Sequence, residues 1–355
     1  MRTPRLFSVL AAGLAAVISL TSHAAPKTDF SVCWTIYAGW MPWEYGAAEG
    51  IVDKWAKKYD INIDVVQIND YVESINQYSA GQFDGCSMTN MDALTIPAAG
   101  GIDSTALIIG DFSNGNDGIV LKGEKKTLGD LKGQPVNLVE LSVSHYLLAR
   151  GLDKAGLSEK DLSVVNTSDA DLVAAFATDD VKAVVTWNPL LAEIEATPGV
   201  TKVFDSSQIP GEIIDLMVVN SATLKDNPAF GKALTGAWYE IMATMSANTA
   251  AGKAAREHMA KASGTDLAGY EAQLAVTKMF YSAKDAVAFA NSPKLPATMS
   301  KVASFSFSHG LLGEGAQSAD AIGMSFAREV VTGDKGNLKL RFDPSFMQMA
   351  ADGKL

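Results

Sequence analysis

The chain has 355 residues, 29 of them basic and 40 acidic, for a formal net charge of −11, and 48% of it is hydrophobic. So large an acidic surplus repels nucleic acid and anionic membrane surfaces, and no nucleic-acid partner is expected. The length suits two domains of ordinary size, each with its own core.

Arg2 and Arg5 open the sequence, an apolar run covers residues 6–20, and Thr21-Ser22-His23-Ala24 offers small residues to a signal peptidase. The pattern predicts a cleavable signal peptide over 1–24. The run is shorter than the roughly 20 apolar residues a span requires, and no cysteine follows it closely enough to carry a lipid. Cleavage leaves 27 basic against 40 acidic residues, a net charge of −13. The expectation is an exported, soluble, periplasmic monomer without a lipid anchor.

Downstream, strand and helix alternate. Residues 30–37 read as a strand, then a Gly39-Trp40-Met41-Pro42 turn leads into a helix through Lys58. Strands follow at 61–68 and 83–88, with helices at 71–80 and from about 90. This order implies a parallel sheet covered on both faces. An apolar strand at 104–110 runs into a turn-rich stretch, 111–118, suited to a crossing into a second domain. The pattern then restarts, with strands at 135–140, 162–166 and 182–187, helices at 144–155, 169–177 and 189–196, and a return strand at 213–220. From Pro228 the chain reads as mostly helical, through Met259, over 270–290 and over 319–331, before an extended segment and a short helix at 338–355. The fold class is α/β and two-lobed. Residues 25–112 and 221–355 form one lobe with a helical C-terminal extension, and 113–220 form the other with its two hinge crossings.

Cys33 and Cys86 fall in apolar segments read as neighbouring parallel strands, so a disulfide and a pair of buried free thiols both remain open. Two cysteines and His145, His258 and His309 show no metal-type spacing, so no metal or cofactor is expected.

Four strands run straight into helix starts. Pro42 suits a first helical position, Asn188-Pro189 adds a cap residue, and Ser142 and Thr89 can cap the other two. In open α/β sheets ligands sit beyond such strand ends. Two domains joined by two crossings would gather all four around one cleft.

The stretches YSAGQFDG (78–85), TNMDAL (89–94), ELSVSHYL (140–147), AVVTWNP (183–189) and PGEIID (210–215) resemble the nitrate/sulfonate/taurine-type substrate-binding proteins of ABC transporters, over residues 30–220. Among these, the chain looks closest to the branch encoded beside urea- or guanidine-carboxylating enzymes. The resemblance implies a two-lobed cleft that closes on a small solute and docks on an inner-membrane permease.

The cleft segments 36–46, 85–95, 108–118, 138–146, 185–193 and 209–217 contain no lysine or arginine. They carry Glu44, Asp92, Asp111, Asp117, Glu140, Glu193, Glu212 and Asp215, beside Tyr37, Trp40, Trp43, Tyr45 and Trp187. Helix N-termini suit anions, but acids here compete for the same positive ends. Carboxylates with aromatic faces and no base point instead to a small cation or an N–H-rich neutral solute, guanidinium first, then urea or a small amine, with a neutral pyrimidine also open. Glu44, Asp92 and Glu193 fit helix first turns, and Asp117 and Glu212 fit solvated turns. The candidate ligand residues are Asp215, Glu140, Trp187, Asp111, Trp40, Tyr37, Ser142, Asn90, Asn188 and Trp43. Trp34, Trp55 and Trp238 fit the core. An enzyme would need a nucleophile–base pair, and only His145 with Ser142 or Ser144 offers one locally.

Overall fold

The computed structural model describes residues 27–355, and the signal peptide expected over 1–24 lies outside them. The first third alternates as its apolar pattern demands: β1 (Asp29–Trp34), α1 (Met41–Ala48), α2 (Ile51–Lys58), β2 (Asn62–Gln67), α3 (Tyr71–Ser79), β3 (Gly85–Thr89) and α4 (Asn90–Ala93). Gly50, at φ 68°, divides the helix expected through Lys58 into two, a left-handed turn that glycine adopts without steric cost. The middle of the chain holds β4 (Ser104–Ser113), β5 (Asp117–Lys122), β6 (Pro135–Leu138), α5 (Val143–Ala155), β7 (Ser163–Asn166), α6 (Asp169–Ala177), β8 (Ala183–Trp187), α7 (Leu190–Glu195), β9 (Val200–Asp205) and β10 (Ile214–Asn220). The last third holds α8 (Ser221–Asp226), α9 (Pro228–Ser246), α10 (Ala250–Ala262), α11 (Leu267–Ala275), β11 (Thr277–Met279), α12 (Ala283–Ala290), α13 (Lys294–Ser308), β12 (Gly323–Ser325), β13 (Val331–Thr332), β14 (Leu338–Phe342) and α14 (Ser345–Ala351).

Two sheets result. The larger runs β13-β12-β14-β4-β10-β3-β1-β2, with β11 also paired to β4, and the smaller runs β7-β6-β8-β5-β9. The expected parallel units are β1 with β2 and β3, and β6 with β7 and β8. Antiparallel strands complete each sheet: β10 lies between β3 and β4, and β5 between β8 and β9. β5 begins inside the segment that its Asn, Asp and Gly residues mark as a turn, and β9 is short and only half-buried, so neither announces itself in the sequence. The chain passes between the sheets twice, from β4 to β5 and from β9 to β10. Every strand after β10 joins the larger sheet.

The helix expected over 319–331 is absent. In its place stand β12, a 3-10 turn and β13. Arg328 and Glu329 take positive φ there, and Gly323 lies so close to the Asp334 backbone that a Cβ would meet its carbonyl oxygen at 2.2 Å. α13 lies outside the expected helical segments. Its Pro296 sits in the first turn, where a missing N–H leaves no intrahelical bond unmade. No helix of the described residues is long and apolar enough to cross a membrane.

Cys33 and Cys86 are register partners on the adjacent strands β1 and β3, with Cα atoms 4.4 Å apart, and they form a disulfide. The pairing of the two strands places the sulfurs opposite one another, which removes the free-thiol alternative. A cross-link spanning 53 residues restricts the unfolded chain by about 4 kcal/mol on the loop-entropy model. Reduction should therefore lower the unfolding free energy by about that amount, read as a shifted urea midpoint with and without reductant.

Candidate functional site

The four strand-to-helix junctions do converge. Trp40 precedes α1, Thr89 precedes α4, Val143 opens α5 and Trp187 ends β8, and all four line one cavity with Tyr37, Tyr71, Asp117, Ile213 and Asp215. Its volume is about 250 Å³. All nine of its wall residues are buried, and any occupant that fits it as it stands is a few heavy atoms in size.

Aromatic rings form one wall. Tyr37 meets Trp40 edge-on at 5.0 Å, Trp40 lies 5.8 Å from Tyr71, and Tyr71 meets Trp187 edge-on at 5.5 Å. Trp187 reaches across from the smaller sheet, its Nε1 donating to the Ile36 carbonyl at 3.4 Å. The same seam is held by Ala38 N–H to the Asn188 carbonyl, Tyr71 N–H to Asp169 and the Ser168 hydroxyl to Asp70.

Carboxylates supply the polarity. Asp215 and Asp117 face the cavity, while Asp111 and Asp92 stand behind the rings. The Tyr37 hydroxyl lies 3.1 Å from Asp111 Oδ1 and 3.0 Å from Asp215 Oδ2. Tyr71 donates to Asp92 at 2.7 Å, and Thr89 Oγ1 donates to the same carboxylate oxygen at 2.8 Å. Among the described residues none of these four acids is paired with a lysine, arginine or histidine. Burial pushes their protons on: Asp92 rises to about 6, Asp111 and Asp117 each to about 7, and Asp215 rises well above the carboxylate range, with repulsion from Asp111 adding to desolvation. Gly39 makes room for this arrangement, since a Cβ there would stand 2.5 Å from Asp111 Oδ2.

Glu212 behaves oppositely. Desolvation would raise it, but hydrogen bonds from Arg150, Lys301 and Tyr146 outweigh burial and hold it at about 2. It is a structural ion cluster tying α5 to α13 rather than a solvated turn.

Of the ten residues singled out from the sequence, Tyr37, Trp40, Trp187 and Asp215 lie on the cavity wall, and Asp111 lies directly behind it. The other five lie elsewhere. Glu140 is exposed, because β6 has ended and Leu141, at φ 63°, turns the chain outward. Trp43 is buried against Trp238, with ring centroids 5.0 Å apart. Ser142 caps α5 through Ser144 N–H and donates to the Val139 carbonyl. Asn90 bridges Ile214 N–H and the Glu212 carbonyl, and Asn188 accepts from Ala192 N–H at the start of α7. Tyr71, Asp117, Thr89, Val143 and Ile213 complete the wall without having been selected. Asp117 and Thr89 stood inside the cleft segments, but Tyr71 comes from α3 and carried no such signal.

His145 pairs with neither serine. Its Nδ1 accepts from Leu141 N–H at 3.1 Å and its Nε2 stands 3.2 Å from Glu159 Oε1, so no nucleophile–base pair is assembled. His309 Nε2 also meets Glu159, at 2.7 Å, which brings three metal-type ligand atoms within 4.8 Å of one another despite their unpromising spacing in sequence. The group does not fit a metal as arranged. With Nδ1 of His145 accepting a hydrogen bond, its proton sits on Nε2, the atom a metal would need.

Comparison with known proteins adds the family. The profile described as NMT1/THI5 like matches residues 54–251, more than half of the chain. The chain belongs to that family. Its fold is the α/β periplasmic-binding-protein fold: the periplasmic aliphatic sulphonate binding protein SsuA of Escherichia coli matches at a TM-score of 0.67 and 19% identity, over 82% of this chain and 95% of that one. The periplasmic nitrate-binding protein NrtA of Synechocystis PCC 6803 matches at 0.58 and 13%, over 94% and 100%. In sequence, a chain named as a binding protein in Brucella abortus is 31% identical over 116 residues, 32% of this chain. The chain thus spans about a third (35%) of the length of the curated relatives it matches.

The site's electrostatics have a stability consequence. From about pH 4 upward the native state holds protons that the unfolded chain has already lost, so stability falls as pH rises through about 7, and Asp215, raised furthest, extends the fall. Asp117→Asn removes one such penalty, worth at most about 4 kcal/mol. Its ligand-free melting temperature should exceed that of the wild type by more at pH 8 than at pH 5 in calorimetric scans.

Proposed function

We propose that this chain is the extracytoplasmic solute-binding component of an ABC importer and that its cavity captures a small planar cation, guanidinium. The observation that carries this reading is a buried, ring-walled cavity with Asp117 and Asp215 facing it, Asp92 and Asp111 behind, and no basic partner for any of them. A guanidinium offers a flat face to the rings and a fan of N–H donors to the carboxylates, and desolvation strengthens both contacts. An oxyanion would meet four acids and no base. Two relatives in fold are named for sulphonate and nitrate; the reading offered for this chain rests on its own cavity side chains rather than on those names.

A specific observation favours urea as the second reading. Trp40 Nε1 is a buried donor without a partner on a wall residue, and urea's carbonyl is an acceptor that guanidinium lacks. Either solute accords with the branch associated with urea- and guanidine-carboxylating enzymes.

The role calls for export, as expected of the segment 1–24, and for delivery of the solute to an inner-membrane permease. The two passages between the sheets, at residues 113–117 and 206–213, act as the hinge of two lobes. Ser113 and Ser206 meet across it, Oγ to Oγ, at 2.6 Å. Because the wall residues are buried between the two sheets, a solute enters when the lobes part.

Calorimetric titration with guanidinium, methylguanidine, urea, taurine, nitrate and bicarbonate tests the reading. Guanidinium should bind, with four heavy atoms capping affinity near −6 kcal/mol, or tens of micromolar. Taurine or nitrate binding instead would end it. Trp187→Ala removes a ring contact worth about 2 kcal/mol and should weaken guanidinium roughly 30-fold. In small-angle scattering, saturating ligand should shrink the radius of gyration of the free protein; an unchanged radius would count against hinge closure.

A further inference from the structure

Asp111 and Asp215 are register partners on β4 and β10, and both reach the single hydroxyl of Tyr37. A phenol has one proton to donate. It can satisfy one of the two oxygen–oxygen contacts at 3.1 and 3.0 Å; the other is attractive only if a carboxyl contributes a proton of its own. The surroundings offer no substitute for that proton. Asp117 faces the pair from β5, Tyr270 from α11 and Tyr281 from the segment after β11, while Asp92 and Tyr71 lie beyond the rings. The neighbouring strand β11 places Met279 beside Asp111, and its Lys278 is exposed. Arg256, which acts on Tyr281, is already engaged by Glu271 and the Met245 carbonyl. Two like charges on paired residues in a dry site cannot both persist without a counter-charge.

We propose that solute capture here is a cation-for-proton exchange: the ligand-free Asp111–Asp215 pair holds one proton, and a univalent cation entering the cavity displaces it to solvent. The step balances in charge and atoms. One O–H bond of a carboxylic acid breaks, its proton goes to water or buffer, and the ligand's positive charge takes its place beside the carboxylate left behind. The inference rests on the cationic reading above and adds the regulation of that site. Loading is favoured where the pair is readily ionised and opposed in acid. A neutral solute gains nothing from the exchange.

The test is calorimetry with guanidinium in buffers of different ionisation enthalpy, at pH 6 to 8. The expected result is an apparent enthalpy that tracks the buffer with a slope close to one proton released, and an affinity that falls about tenfold for each pH unit below the pair's titration. Asp111→Asn, which leaves a single carboxylate in the pair, should release less proton than the wild type and show a shallower pH profile over the same range, with Asp117 as the main titrating group left. Guanidinium binding with a buffer-independent enthalpy and no pH dependence in the wild type overturns the exchange and leaves the ligand assignment standing. If guanidinium fails to bind, the ligand assignment falls instead. The held proton is then read separately by carbon-13 NMR titration of the aspartate carboxyls in the ligand-free protein. One of the pair titrating near neutrality or above supports it; both titrating near the ordinary aspartate value of about 4 overturns it.

Discussion

The structure turns on a carboxylate cluster buried without counter-charge. Asp92, Asp111, Asp117 and Asp215 come from α4, β4, β5 and β10 and meet where the two sheets face each other. Their desolvation opposes folding of the empty protein, and hydrogen bonds from Tyr37, Tyr71, Thr89, Ser113 and the Val143 backbone moderate it. A site that weakens its own scaffold is the pattern expected where binding rather than stability sets the residues. Under the proposed function, the solute is what relieves the cluster.

Contrast within the same molecule makes the point. Glu212 is also buried and lies just before β10, yet Arg150, Lys301 and Tyr146 enclose it and it stays ionised. Its charge is spent on holding α5 against α13. The cavity acids have no such neighbours, although Asp215 is only three residues further along the chain. Position relative to the two helices, rather than residue type or sequence distance, separates a neutralised ion cluster from uncompensated cavity acids.

The scaffold is built to hold this cluster in place. β4 and β10 run side by side in the larger sheet and adjoin both passages into the smaller one, so Asp111 and Asp215 sit beside the two chain crossings. The Cys33–Cys86 disulfide ties β1 to β3, the strands that lead to Tyr37 and Thr89. Solved relatives named for sulphonate and nitrate share the architecture, while the chemistry of the cleft is a property of the side chains each chain places there.

The sequence by itself determined the alternation of strands and helices, the two-lobed α/β class and the four strand-to-helix junctions, because periodicity and capping are local. It also put Tyr37, Trp40, Trp187 and Asp215 at the cavity, since each belongs to a strand end or the turn beyond it, and it showed that no base is near them in the chain. Tertiary structure decided the rest. Tyr71 reaches the wall from a helix with no local mark of a site, Asp117 is buried because a turn-like segment becomes β5, and Glu140 is exposed because Leu141 bends the chain away. Burial and counter-charge depend on which distant segments meet. No local window of sequence contains that information.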